Sequence, residues 1–316
     1  MHASQRVLSK LLAEAGLPPA VEVSPLEGRG FSNEIVAATL AGGRRVILRR
    51  WPAPRLPEHA RARFLADHGL PAPGLLAADE HASIIEFVPG EVLGDLIDDG
   101  RDSIQVWRLV GQAYRRVHDV AFPGGLTGEV RPHRIVLTPT DPVARLHADI
   151  ENARIELHRI LPERVADLLA LHGAVQAAAG PLRAAKTALG HGDIHMWNVL
   201  VSASAVTLVD WDSPRVCDPA MEVGLLDKHA SLFNGKGLPE SFFEGYGHPP
   251  TEPNTSVHRV VQTLNWATSS DWAEFEADPG LSDELKRRAR TWRPVLVDYL
   301  RDLPHHIHRL HMLTRR

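Results

Sequence analysis

Between residues 21 and 50, apolar and polar positions alternate in three short runs, separated by turns around Gly28-Arg-Gly30 and at residues 41–43. A period of two with β-branched residues predicts three strands joined as a meander. Ahead of them, "MHASQRVLSKLLAEAGLPP" places charges among its apolar positions. This predicts an amphipathic helix ending at Gly16, not a leader peptide. Behind them, three prolines in "WPAPRLP" (51–57) end the alternation. Residues 58–70 predict a helix stopped at Gly69, and "SIIEFV" at 83–88 predicts a strand ended by Pro89-Gly90.

Beyond residue 90 the spacing becomes helical. Residues 102–120 predict a helix capped by Asp102 or Ser103. Prolines and glycines across 121–142 predict loop, and 143–180 predicts one or two helices broken at Pro162. Three further helices are expected at 221–233, 255–275 and 281–303. The fold class is therefore α+β and bilobal. A small, mainly antiparallel lobe spans 1–90, with an interlobe linker at 84–90, and a larger helical lobe spans 91–316. A cleft between two such lobes is a favoured ligand site.

One segment stands out against this pattern. "HGDIHMWNVLV" (191–201) leads from a polar cluster into an apolar run. Four small or polar residues follow, then Val206-Thr-Leu-Val209, then Asp210-Trp-Asp212. Two β-branched runs so spaced predict a hairpin. If Val201 pairs with Val206, Asn198 falls opposite Val209. The open end of the hairpin then gathers Asp193, Asn198, Asp210 and Asp212. Asp and Asn are also common turn residues. Their occurrence at both ends, at this spacing, points instead to a hard-oxygen set suited to Mg²⁺ and substrate phosphates.

Composition narrows the class. The chain has 316 residues, a hydrophobic fraction of 44% and a charged fraction of 23%, the profile of a globular protein with ample core. A net charge of −4 does not suggest a nucleic-acid partner, which would favour a basic face. No apolar run approaches a membrane span, so no membrane partner is expected. The single cysteine, Cys217, excludes an internal disulfide framework and fits a reducing, cytoplasmic setting. The oligomeric state is left open.

"HGDIHMWN" and "LVDWD" resemble the catalytic loop and metal-binding aspartate of the aminoglycoside phosphotransferase and choline kinase family, relatives of the protein kinases. The resemblance runs from about Leu26 to Leu226. It implies that Asp193 accepts the proton of an acceptor hydroxyl. It also implies that Asn198 and Asp210 hold Mg²⁺, with Asp212 assisting. It implies that "LEGRGFSN" (26–33) covers the nucleotide phosphates through Gly28, Gly30, Ser32 and Asn33. Arg49 stands where the family has its phosphate-binding basic residue, commonly lysine, and Glu58 where that residue's partner carboxylate lies. The Glu86 carbonyl and Val88 N–H fall in the segment that holds the adenine edge. Those peptide groups do not fix the purine, so ATP is expected and GTP is open.

Three features depart from the family pattern. Met196-Trp197 replaces a frequent Pro-Gly, Glu222 stands where aspartate is usual, and Cys217 replaces a frequent glycine. His191 and His195 read as braces of the loop. Trp197, Trp266, Asp271 and Trp272 are candidates for the acceptor pocket, where acidic groups and aromatic faces would suit a cationic acceptor. "HHIHRLH" (305–311) reads as a solvated helix end.

The expected activity is transfer of a γ-phosphate from ATP, with Mg²⁺, to a hydroxyl on a small molecule. An aminoglycoside or other hydroxylated antibiotic is the first candidate. A choline-like amino alcohol, a sugar or homoserine is the second. From another class, a nucleotide-binding pseudokinase is the rival, with Arg49 in its favour and the intact Asp193, Asn198 and Asp210 against it.

Overall fold

A computed structural model describes residues 2–26, 34–56, 58–269 and 283–314. Helix α1 (His2–Glu14) precedes the expected meander, β1 (Ala20–Pro25), β2 (Glu34–Leu40) and β3 (Arg45–Arg50), all paired antiparallel. Helix α2 (His59–Asp67) follows, then β4 (Leu75–Ala78) and β5 (Ala82–Glu86). The sheet order is β1-β2-β3-β5-β4. Alternation explains what β3 presents on each face. Val46 and Leu48 join Leu8, Leu11 and Leu12 of α1 in one core. Arg49 belongs to the opposite face and is buried there, 8% exposed.

Strand β6 (Glu91–Val92) runs into α3 (Leu93–Asp98) and α4 (Ile104–His118). Ser103 caps α4, its side chain accepting from the Val106 N–H. Residues 121–142, expected as loop, instead carry β7 (Ala121–Phe122), β8 (Leu126–Val130) and β9 (Ile135–Pro139). The prolines and glycines there punctuate strands. Gly128 lies inside β8, where a Cβ would meet the Val136 carbonyl oxygen at 1.9 Å, so close strand packing requires glycine.

Helices α5 (Pro142–Ile160), α6 (Asp167–Ala177) and α7 (Ala179–Ala184) bring the chain to β10 (Thr187–Gly190). The break at Pro162 is real: a single 3₁₀ turn, Pro162–Arg164, separates α5 from α6. The predicted hairpin follows as β11 (Val199–Val201) and β12 (Val206–Leu208), with Val201 opposite Val206. Strand β13 (Arg215–Cys217) returns to pair with β10 and β8. Then come α8 (Pro219–Asn234), α9 (Glu240–Tyr246), α10 (Glu252–Ala267), α11 (Asp283–Arg301) and α12 (Leu303–Thr314).

This larger part has two cores. One joins α3, α4, the hairpin, α8 and α9 through Trp107, Val110, Val199, Leu208, Leu226 and Phe242. The other joins α5, α6, α10, α11 and α12 through Ile150, Leu171, Val261, Leu300 and Ile307. No helix among the described residues is long and apolar enough to cross a membrane.

Candidate functional site

The hairpin's open end is built as its spacing requires. The Val209 N–H donates to the Asn198 carbonyl at 2.9 Å, which extends the ladder to the residues that carry the chemistry. A 3₁₀ turn, Met196–Asn198, turns the chain into β11. Asn198 Nδ2 donates to the Asp193 carbonyl at 2.9 Å and to Asp193 Oδ2 at 3.0 Å. That fixes the amide so that its oxygen faces away from Asp193. The Asp193 side chain is about half exposed, with His195 Nε2 at 3.7 Å from Oδ2. Partial burial pushes its carboxyl up. The neighbouring His195, then His191 and the bond from Asn198, outweigh burial and hold it below the usual carboxylate value.

On the other strand, Asp210 has φ 65°, the left-handed region that non-glycine residues rarely adopt. Such strain marks positions that the surrounding structure fixes. Arg49 Nη2 donates to Asp210 Oδ1 at 2.6 Å and to Asp212 Oδ1 at 3.0 Å. Arg55 Nη1 donates to Asp212 Oδ2 at 2.8 Å, and Arg61 Nη1 to the Asp212 carbonyl at 3.1 Å. Burial raises the Asp210 carboxyl. Arg49 opposes the rise, while Asp212 and Asp193 add to it. Burial also pushes Asp212 up, but Arg49, Arg61 and Arg55 outweigh it and leave Asp212 lowered.

Glu58 hydrogen-bonds Arg61, and its charge also favours the Arg49 cation. Arg49, Arg55 and Arg61 therefore face Asp210, Asp212 and Glu58, three cations against three anions. Arg55 and Arg61 had no role in the sequence reading. Arg61 is buried on α2, which only the fold reveals.

A second buried carboxylate supports the loop from behind. Glu222 is 1% exposed. It accepts from the N–H groups of His191 (2.9 Å) and Gly192 (2.7 Å), with His118 Nε2 at 3.1 Å. Burial would raise this carboxyl, but His118, the Gly192 N–H and His191 outweigh it and hold it low. Gly192, at φ 87°, lies so close to β13 that a Cβ would meet the Ser213 carbonyl oxygen at 1.8 Å. His191 is buried and places Nε2 2.9 Å from the Val209 carbonyl, tying the loop to the end of β12. Burial lowers its pKa, so it donates there as a neutral ring. This is the bracing geometry expected of it.

The remaining sequence-derived residues fall in several places. Glu86 closes β5, its side chain held by Arg44 at 3.1 Å. Val88 follows on the chain toward β6, and no protein group among the described residues accepts from its N–H. Gly28, Gly30, Ser32 and Asn33 lie outside the described residues, as do Asp271 and Trp272.

Trp197 and Trp266 are joined by Trp292, which the sequence reading did not single out. Trp292 lies 5.4 Å from Trp197 and 6.4 Å from Trp266, centroid to centroid. The group over the Trp266 face is a cation, Lys228 Nζ, at 4.3 Å. "HHIHRLH" lies on α12, where His306 stacks on Tyr299 and burial lowers its pKa to about 4.

The donor chemistry at Asn198, Asp210 and Asp212 fits a hard divalent cation. It offers two carboxylates and an amide oxygen, and leaves further positions for phosphate oxygens and water. Among the described residues, no three His, Cys, Asp or Glu side chains form a closed cage.

An antiparallel sheet with two helices, a larger helical body and an acidic hairpin mouth are the architecture of a protein-kinase-like phosphotransferase, and the family match makes it one that acts on small molecules. The family model described as the APH phosphotransferase enzyme family matches residues 22–258, and the chain belongs to that family. Solved structures with the same fold include a choline/ethanolamine kinase family protein from Mesorhizobium loti. It is 18% identical, covers 98% of this chain and 99% of that one, and has a TM-score of 0.64. A macrolide 2'-phosphotransferase from Brachybacterium faecium is 16% identical, with 91% and 96% covered and a TM-score of 0.60. The choline kinase of Streptococcus pneumoniae is 15% identical, with 95% and 100% covered and a TM-score of 0.58. No curated protein matches the chain.

Proposed function

We propose that this chain transfers the γ-phosphate of ATP to a hydroxyl on a small molecule, an antibiotic or a small metabolite, in the cytoplasm. Residues 1–90 form the nucleotide-covering lobe and 91–316 the lobe that carries the catalytic loop and acceptor pocket. Asp193 orients the hydroxyl and takes its proton. Asn198 and Asp210, with Asp212, hold Mg²⁺, which when bound neutralises the phosphate charge. Arg49 supplies the cation that β3 presents to the phosphates, and Glu58 orients the arginine cluster. The Glu86 carbonyl and Val88 N–H meet the purine edge, adenine or guanine.

One observation carries this reading: Asp193, Asn198 and Asp210 converge on the mouth of a single hairpin, with Asp193 charged and half open to solvent. A proton acceptor must be ionised and reachable, and this one is both. The test is ADP release from ATP and Mg²⁺ across aminoglycosides, other antibiotics, amino alcohols, sugars and hydroxy acids. Asp193→Ala serves as the control. An acceptor whose signal vanishes in the variant supports the assignment. An acceptor turned over equally by both proteins removes Asp193 from the chemistry.

A further inference from the structure

Beside Asp193 the structure closes a circuit of five aromatic rings. His195, whose Nε2 lies 3.7 Å from Asp193, is 6.0 Å from Trp197. Trp197 meets Trp292 at 5.4 Å, Trp292 meets Trp266 at 6.4 Å, and Trp266 meets His229 at 5.3 Å. His229 returns to His195 at 6.2 Å. The three tryptophans remain partly open to solvent. Such a ring of flat apolar faces suits an organic ligand.

Among the described residues, the buried charge packed on this circuit is positive. Lys228 on α8 is 3% exposed. Its ammonium lies over Trp266 at 4.3 Å and makes no hydrogen bond or ion pair among the described residues. Elsewhere on the same helix, the Asp227 carboxylate is taken by Arg259 and the Leu238 N–H. An ammonium buried without an anion is costly, and folded proteins keep one mainly where function needs it. The adjacent histidines do not compensate. Burial, Lys228 and His195 hold His229 well below its ordinary pKa, so it adds no negative charge and a neutral ring.

We propose that this circuit is the acceptor subsite and that Lys228 recognises a carboxylate on the hydroxyl compound that Asp193 activates. The inference rests on the phosphotransferase reading and narrows its acceptor to hydroxy acids. A cationic acceptor would bring a second positive charge against Lys228, which disfavours aminoglycosides and choline-like amino alcohols. A phosphate dianion would meet one cation where two charges need balancing, so a carboxylate is the better match.

The test reads binding, so it does not depend on turnover. Matched sets of hydroxycarboxylates, neutral polyols, amino alcohols, aminoglycosides and phosphate esters are titrated against the full chain at pH 7, with ATP and Mg²⁺ present. Thermal stabilisation and calorimetry are measured on the parent, Lys228→Met and Lys228→Arg. The expected result is tightest binding by a hydroxycarboxylate, at least tenfold weaker in Lys228→Met and largely restored in Lys228→Arg. ATP-induced stabilisation should be retained in all three.

Three outcomes overturn the proposal: an amino alcohol, aminoglycoside or phosphate ester that binds more tightly than every acid; no acid that binds; or an acid that binds Lys228→Met as well as it binds the parent. ADP release from the same mixtures is scored separately. An acid that binds through Lys228 without being phosphorylated would sink the phosphotransferase reading and leave the carboxylate site standing.

Discussion

Replacing Lys228 by methionine should stabilise the ligand-free protein, and the gain should shrink as pH rises. Burial lowers the Lys228 ammonium from 10.5 to about 7. Between those values the unfolded chain binds a proton that the folded chain does not, so this residue makes parental stability rise with pH. The slope reaches roughly 1.4 kcal/mol per pH unit once the folded group has lost its proton. Lys228 is half protonated at pH 7, so integrating to pH 9 gives about 2 kcal/mol. Methionine has no proton to lose and fills a similar volume against Trp266. The methionine variant should therefore lead the parent most at pH 7, with the lead about 2 kcal/mol smaller at pH 9.

Urea unfolding of both proteins at each pH measures this. The difference between the proteins cancels the titration of groups they share. Extrapolation errors are common to both and smaller than the expected change. Parallel stabilities at the two pH values, within about 0.5 kcal/mol, would refute the reasoning. Lys228 would then keep its proton in the fold, and its burial would not carry this cost.

Other expectations concern the loop. Asp193→Asn should keep the bond to Asn198 through its amide oxygen, yet lower kcat by roughly 10²- to 10⁴-fold with little change in ATP affinity; a kcat within threefold of the parent would reassign the base. Glu222→Ala should leave two backbone N–H groups and His118 without their buried acceptor, costing about 3–5 kcal/mol by chemical unfolding. A loss under about 1 kcal/mol would mean that water replaces the carboxylate. Gly192→Ala should abolish activity or folding, since its Cβ would fall 1.8 Å from a backbone oxygen; a folded, active variant would show that the loop and β13 can separate.

The hairpin was readable because its signal is local. Two β-branched runs with a short connection fix both partner and register, so Asn198 opposite Val209 follows from the spacing alone. The first three strands and the helix at 104–118 were legible for the same reason. Strands β7, β8 and β9 were not, because glycine inside a strand reads as a turn until the neighbouring backbone is known. Arg49 and the acidic pair were each visible, but their contact spans 161 residues of sequence for Asp210. Arg55, Arg61, Trp292 and Lys228 were hidden by the same distance: their roles depend on which chain segments meet. Sequence marks Lys228 and His229 only as basic residues after Asp227 in a helical run, "VGLLDKHASL". The fold sets Lys228 over the face of Trp266 and His229 beside the same ring.

The arginine cluster has its own consequence. Arg49 bridges Asp210 and Asp212, the two carboxylates assigned to the cation, so in the ligand-free protein the site is neutralised from within. If Asn198, Asp210 and Asp212 hold Mg²⁺ as proposed, the cation and the Arg49 guanidinium would compete for the same carboxylates, and nucleotide phosphates would offer Arg49 another partner. Arg49→Met removes one side of that competition. The two aspartates would lose their shared partner, although Arg55 and Arg61 still hold Asp212. The variant should therefore be destabilised by about 3 kcal/mol without metal. Mg²⁺ alone should restore part of that loss, raising Tm in the variant and leaving the parent nearly unchanged. ATP should bind the variant more weakly, because the cation on β3 is gone. An equal response of both proteins to Mg²⁺ would mean that Arg49 does not compete with the metal. The bridge seen here would then persist when nucleotide is bound, and Arg49 would position Asp210 and Asp212 instead of contacting phosphate.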